Sequence, residues 1–292
     1  MLSGIDRVQM AVADRKTAAQ GWQDLLGAEH VRDDHVACLG AHRSVYQVGR
    51  SQVEFLEPDG TGVIEAALSA RGRPHLFAAG IATPDFDALV AHLEAIGTPH
   101  TLEDTPEGSQ AHICYQETGE NDLRFVLSKT ADRAPVGLID HLYEATILEK
   151  HFQKMADAVT KLFSLQPDNY SRITSQNFKY DGTLTLFGNK ELDRFEVIHP
   201  TSPETTMGRF QTHQGRAFYM CFAETPHILE IENRAKEAGA GITVARPDGR
   251  SESEVADQLW LHPSALGGVM LGISRPTMAW SWSGKPDQVA AI

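Results

Sequence analysis

The hydrophobic positions along the chain change period in an order that comes round four times. Ile5-Asp6-Arg7-Val8-Gln9-Met10-Ala11-Val12 reads as a short strand. Asp14 then stands where a helix cap belongs, and Ala18, Ala19, Trp22, Leu25 and Leu26 form one helical stripe that stops at Gly27. From Val36 to Pro58 the sequence turns to short β-type runs, Val45-Tyr46-Gln47-Val48 and Val53-Glu54-Phe55-Leu56, broken by Gly40 and Gly49. The unit reads βαβββ. A second begins with a strand over 77–81, starts a helix at Thr83-Pro84, and puts Phe86, Leu89, Val90 and Leu93 on one helical face that ends at Gly97. Strands near Ile113-Cys114-Tyr115 and Leu123-Arg124-Phe125-Val126-Leu127 close it.

Residues 131–137, with Pro135 and Gly137, read as a linker, after which Ile139-Asp140-His141-Leu142 restarts the pattern of Ile5-Asp6-Arg7-Val8. Three further pairs keep a constant spacing of 142 positions: Val53-Glu54-Phe55-Leu56-Glu57-Pro58 with Phe195-Glu196-Val197-Ile198-His199-Pro200, Thr83-Pro84 with Thr225-Pro226, and Ala95-Ile96-Gly97 with Glu237-Ala238-Gly239. Three matches in register with the same predicted elements argue for a duplication. The expectation is an α+β chain of four βαβββ modules, two to a domain, each domain an incomplete barrel whose concave face offers a pocket. The first domain would span 1–130 and the second 137–276, with a tail over 277–292. Two unrelated α+β domains are the rival reading.

Length agrees, since 292 residues make two domains of ordinary size. At 41% hydrophobic and 22% charged, with no apolar run near the roughly 18 residues of a membrane span, the composition is that of a soluble chain without a membrane partner. No export signal opens the sequence. Cys38, Cys114 and Cys221 are far apart and odd in number, which suits buried free thiols and a reducing cytoplasm better than disulfides or a zinc site. A net charge of -13 without a Lys/Arg cluster excludes nucleic acid as an expected partner. Gly-rich phosphate loops, Gly-x-Ser-x-Gly elbows and Cys-x-x-Cys pairs are absent.

The order of these motifs resembles the vicinal-oxygen-chelate superfamily, the glyoxalase-like, bleomycin-resistance and extradiol-dioxygenase proteins. Ile139-Asp140-His141-Leu142 is similar to its first-strand signature, Phe195-Glu196-Val197-Ile198 to its fourth, and the segment from Leu261-His262-Pro263 to Gly272-Ile273 to the end of methylmalonyl-CoA epimerase-type members. The resemblance implies two tandem glyoxalase-like barrels. It also implies a divalent metal held by His on the first strand, Glu or Gln on the fourth, His on the fifth and Glu on the eighth, where a Lewis acid stabilises an enolate oxygen. Carried over residue by residue, only His141 and Glu196 match in the second domain. The fifth-strand position falls on Tyr219 or Met220 and the eighth on Gly272. In the first domain Glu54 matches, while the others fall on Arg7, on Phe77 or Ala78, and near Arg124. A reduced or absent metal site is therefore expected, with His141 and Glu196 its ligands and His199 or His213 as helpers; an extradiol dioxygenase would lack its second His and its Glu.

The candidate catalytic residues are His141, Glu196 and Tyr219. A carboxylate pointing into a barrel needs a partner, and a raised pKa suits Glu196 to general-base work. Tyr219 would donate to a substrate carbonyl or simply fill a site without metal. Arg7 and Glu54 read as an ion pair standing where the first domain's metal would be. His75, His112, His227 and His262 show no spacing that joins them, and Trp280 and Trp282 either cap a pocket or pack against the second domain. The leading expectation is a lyase- or isomerase-type enzyme acting on a small carbonyl compound or acyl thioester in the second barrel. The alternative is a metal-free protein that sequesters an aromatic ligand, and a third reading makes the duplicated barrel a homodimerisation scaffold.

Overall fold

The first helix forms where its stripe and cap put it. In the structure, a computed structural model that describes residues 2–291, the Thr17 N–H donates to Asp14 at 2.7 Å, and Gly27 ends the helix in the left-handed region at φ 71°. The chain runs β1 (Gly4–Ala11), α1 (Arg15–Leu26), β2 (Glu29–Val36), β3 (Ala41–Val48), β4 (Ser51–Pro58), α2 (Val63–Arg71), β5 (His75–Thr83), α3 (Phe86–Ala95), β6 (His100–Thr105), β7 (Gly108–Tyr115) and β8 (Leu123–Lys129). It continues through β9 (His141–Leu148), α4 (Phe152–Phe163), β10 (Ser171–Ser175), β11 (Tyr180–Leu186), β12 (Arg194–Pro200), α5 (Thr206–Gln214), β13 (Ala217–Glu224), α6 (Ile228–Glu237), β14 (Ile242–Ala245), β15 (Gln258–Leu261) and β16 (Met270–Ser274).

The strands make two curled eight-stranded half-barrels with the same order, β2-β3-β4-β1-β5-β8-β7-β6 and β10-β11-β12-β9-β13-β16-β15-β14. In each, the first strand lies parallel to the fourth and antiparallel to the fifth. The expected α+β pair of glyoxalase-like half-barrels is what the chain forms. Two details differ from the sequence pattern. The third helix begins after Asp85, which caps Ala88 N–H at 3.4 Å, because Thr83 before Pro84 stays extended and closes β5. Helices α2 and α5 carry no readable stripe; among their residues only Ile64 and Gly208 are buried.

Alternation decides which side chains meet. On β1, Ile5, Val8 and Met10 face the helices, as do Val53 and Phe55 on β4, Ala145 and Ile147 on β9, and Phe195 and Val197 on β12. These join in one apolar core running between the halves. Phe125 lies at its centre, with its ring 5.1 Å from Phe163, 5.4 Å from Phe195 and 5.5 Å from Phe218. Trp22 of α1 is fully buried and donates from its indole to the Leu266 carbonyl at 3.2 Å. Residues 131–137 do not hang free, since Val136 pairs with Gly49 and the Leu138 N–H donates to the Leu26 carbonyl at 2.8 Å.

The halves also exchange equivalent ties. The Ile5 N–H at the start of β1 donates to the Asp193 carboxylate before β12 at 2.7 Å, and the Leu142 N–H at the start of β9 donates to Ser51 Oγ at the start of β4 at 2.9 Å.

Candidate active site

The opposite face of each sheet collects polar residues that the helix face excludes. In the first half, Arg7 Nη1 donates to Glu54 at 2.8 Å, Arg43 Nη1 to the same carboxylate at 3.3 Å, and Gln9 Nε2 at 2.8 Å. All four are buried. Burial opposes the Glu54 charge, but Arg43 and Arg7 outweigh it and hold the carboxyl down at about 2. Two guanidinium cations occupy this position, and the Arg7–Glu54 ion pair is part of a larger buried network.

In the second half the charges are exchanged. Strand register sets Glu144 beside Arg194, and Thr146 beside Glu196, as it sets Arg7 beside Gln52 and Gln9 beside Glu54 in the first half. Arg194 Nε donates to Glu144 at 2.6 Å, and its carbon lies 4.9 Å over the ring of Tyr143. Thr146 Oγ1 lies 2.8 Å from Glu196 and 3.1 Å from Glu144. A hydroxyl has one proton and cannot serve both carboxylates, so a proton on Glu196 completes the chain: Glu196 O–H to Thr146, Thr146 O–H to Glu144, with Arg194 on Glu144. Burial first, and the Glu144 charge second, push the Glu196 carboxyl well above the usual carboxylate range. Arg194 is fully buried, and its Nη2 has no hydrogen-bond partner among the described residues.

Around this relay lie Tyr180, Met220, Phe222, Trp260 and Met270, and Trp280 of the tail packs into the same cluster. Burial raises the phenol of Tyr180, which lies close to Glu196 and Glu144. The tail turn Met278–Ser281 is held by the Arg275 carbonyl, which accepts the Met278 N–H at 3.1 Å, and by Lys285, 5.1 Å from the Trp280 ring, while Arg275 Nη1 donates to the Ala290 carbonyl further along the tail at 3.0 Å.

The sequence candidates do not all converge here. Glu196 is in the relay. His141 is the first residue of β9, paired across with Glu224, whereas Glu196 pairs with Thr146 five positions further along, roughly 16 Å away at about 3.3 Å per residue. His141 Nδ1 lies 3.0 Å from Asp140, and Asp140, His141 and Glu224 bring one ligand atom each within 4.8 Å of one another. Asp140 is also paired with Arg50 at 2.6 Å. Tyr219 is half-buried on β13, its ring 5.0 Å from Phe210, and it is not joined to His141 or Glu196 by any hydrogen bond or ring contact among the described residues. His199 Nδ1 meets Gln211 at 3.0 Å, and His213 lines a cleft of about 840 Å³ between the halves together with Arg71, His75 and Arg124. Sequence reasoning missed Glu144, Thr146, Arg194 and Tyr180. Arg194 was within reach, because two residues before Glu196 on a strand means the same face.

The reason for the displaced reading is a change of spacing. Arg7 and Glu144 are structural counterparts, paired with Gly80 and Phe222 respectively, and stand 137 positions apart, whereas Glu54 and Glu196 stand 142 apart. Matching Asp6-Arg7 to Asp140-His141 slides β9 by three residues. Register shifts interrupt both β1–β5 and β9–β13, and no periodicity reveals them.

At the strand positions around Glu196, the described residues supply no metal ligand set of the superfamily type. Beside Glu196 and Thr146 the next strands offer Met220 and Met270, and beside Glu144 they offer Phe222 and Gly272. A Cβ on Gly272 would lie 2.2 Å from the Phe222 ring, so no longer side chain fits there. The cation of this site is Arg194. Clusters that combine metal-ligand types lie elsewhere, at Asp140, His141 and Glu224 and at Cys38, Glu103 and His112.

Two curled half-barrels with buried polar groups on their concave faces define a glyoxalase-type architecture. Residues 6–115 match the model of the Glyoxalase/Bleomycin resistance protein/Dioxygenase superfamily, and the second half of the chain repeats the fold of the first. The structure is similar to a mutant 4-hydroxymandelate synthase from Streptomyces coelicolor, with TM-score 0.71 and 13% identity over 99% of each chain. It is similar to the 2,2',3-trihydroxybiphenyl 1,2-dioxygenase of Sphingomonas wittichii strain RW1, with TM-score 0.62 and 12% identity over 94% of this chain and 91% of that one. A Mn(II)-bound glyoxalase from Novosphingobium aromaticivorans gives TM-score 0.59 and 14% identity over 94% and 83%. At such identities the likeness defines the fold alone. No curated protein matches the sequence. No described helix is long and apolar enough to cross a membrane.

Proposed function

We propose that the second half-barrel is a proton-transfer site of lyase or isomerase type for a small carbonyl compound, and that Glu196 carries the proton. The observation that carries this reading is the Glu196–Thr146–Glu144 relay ending on Arg194, a guanidinium with one unpartnered nitrogen. A hydrogen next to a carbonyl becomes acidic when the carbonyl oxygen accepts a strong hydrogen bond, and Arg194 Nη2 is a donor without an internal acceptor. The carboxyl pair shares one proton: passing it from Glu196 through Thr146 to Glu144 frees Glu196 to take a proton from carbon, the pair going from −1 to neutral as the substrate becomes an enolate beside Arg194, and the reverse steps return a proton to carbon. Tyr180, beside Glu196, adds a phenol to the same wall. His141 is then a rim residue and Tyr219 part of the lining.

A second reading, capture of an aromatic ligand without turnover, is favoured by the aromatic and methionine side chains around the relay. Exchange of carbonyl α-hydrogens with deuterated water, followed by NMR over a panel of aryl and acyl carbonyl compounds, separates the two. Glu196→Gln is expected to retain ligand binding and to lose about 100-fold or more in exchange rate. Undiminished exchange in that variant removes Glu196 from the mechanism. Stoichiometric binding with no exchange in the wild type favours sequestration.

A further inference from the structure

We propose that Cys38, Glu103 and His112 form a site for one thiophilic divalent metal ion, of which zinc suits the donors best, at the mouth of the first half-barrel. Cys38 lies in the single helical turn Ala37–Leu39 after β2, Glu103 on β6 and His112 on β7. Their ligand atoms lie within 4.8 Å of one another, with His112 Nε2 3.1 Å and Cys38 Sγ 3.8 Å from the same Glu103 oxygen. Tetrahedral zinc, with bonds of about 2.0–2.3 Å, separates a nitrogen–oxygen pair by about 3.3 Å and a sulfur–oxygen pair by about 3.5 Å, so the two distances to Glu103 are each within a few tenths of an ångström of those the ion sets.

The histidine supplies an independent argument. Its side chain is 8% exposed, and Nε2 is buried with no aligned hydrogen-bond partner among the described residues even though Glu103 is 3.1 Å away. The two atoms are close but not aligned on each other, as expected when both point at a third position. Left alone, a buried ring nitrogen without a partner is costly. The nearby Arg43 does not fill the gap, because its nitrogens are committed to Asp34, Glu54 and Gln110.

Position in the sheet gives the site a purpose. Strands β2 and β6 are the two outer strands of the first sheet, and the turn after β2 reaches β6 through the Ala37 N–H, which donates to Glu103 at 3.2 Å. An ion held by Cys38 on one side and by Glu103 and His112 on the other clamps the open edges of the half-barrel together. Binding converts the Cys38 thiol to thiolate and releases its proton to solvent, with no redox change, and three protein donors leave one coordination position open. The ligands lie on the sixth and seventh strands and a turn, away from the strand positions where the superfamily resemblance puts its metal.

Titration of the full, chelator-treated chain with cobalt(II) tests this. One equivalent is expected to produce a near-ultraviolet thiolate-to-cobalt absorption, displaced by zinc, absent in Cys38→Ser and at least tenfold weaker in apparent affinity in Glu103→Gln. Zinc should raise the melting temperature of the wild type and leave that of Cys38→Ser unchanged. Cys114 and Cys221 remain in that variant, so a band that survives comes from elsewhere and overturns the proposal. A wild type that shows no band overturns it equally. The Asp140, His141 and Glu224 cluster contains no sulfur and cannot produce this signal.

Discussion

Asp193 offers a quantitative test of how the halves are joined. It is buried at their junction, its Oδ1 accepts the Ile5 N–H at 2.7 Å, and that oxygen lies 2.8 Å from where a Cβ on Gly4 would stand. Burial pushes its carboxyl up from 3.8 to about 6, against the opposing effects of His141 and the Ile5 N–H. An acid whose pKa is raised on folding favours the folded state while it is protonated. Below about pH 4 both states hold the proton; between about 4 and 6 the folded state keeps a proton that the unfolded chain releases, so stability falls as pH rises. A shift of about two units at about 1.4 kcal/mol each makes the full loss about 3 kcal/mol, complete above about pH 7. Asp193→Asn keeps an oxygen for Ile5 and cannot ionise. Urea denaturation from pH 4.5 to 8 should show the variant gaining on the wild type by up to about 3 kcal/mol, or about 1 M in midpoint at a slope of about 3 kcal/mol per molar. Parallel curves across that range would refute the assignment, because the difference between the two proteins cancels every other titrating group.

Glu54→Gln should cost about 3–5 kcal/mol in urea unfolding at neutral pH, since it removes the fully buried carboxylate that Arg7 and Arg43 share and leaves them only Asp6 and Asp34; a loss under about 1 kcal/mol would mean that Asp6 and Asp34 suffice to hold the two cations. Phe125→Ala should cost about 3–5 kcal/mol and, because its ring touches Phe163, Phe195 and Phe218, should lower the unfolding transition of both halves rather than split them. Trp280→Ala should uncover the second concave face, read as increased fluorescence of an apolar dye. An unchanged signal would mean that the tail packs there without closing anything.

Local signals were enough for the elements with a clear stripe or alternation, though not for α2 and α5. Helix α1 follows from five apolar residues on one stripe between Asp14 and Gly27, and β4 and β12 follow from alternation, because period and capping are written into residues a few positions apart. The repeat at 142 positions was legible for the same reason, and it correctly aligned Glu54 with Glu196. The tertiary structure alone decided what Glu196 meets. Neighbours on a sheet come from strands distant in sequence, and the stretch from β9 to β12 is five residues longer than that from β1 to β4, so Glu144 and Thr146, not His141, adjoin Glu196. The same holds for Cys38, Glu103 and His112, which sequence gave no reason to join: Cys38 and Glu103 lie on opposite edges of one sheet, and only its curl brings them together.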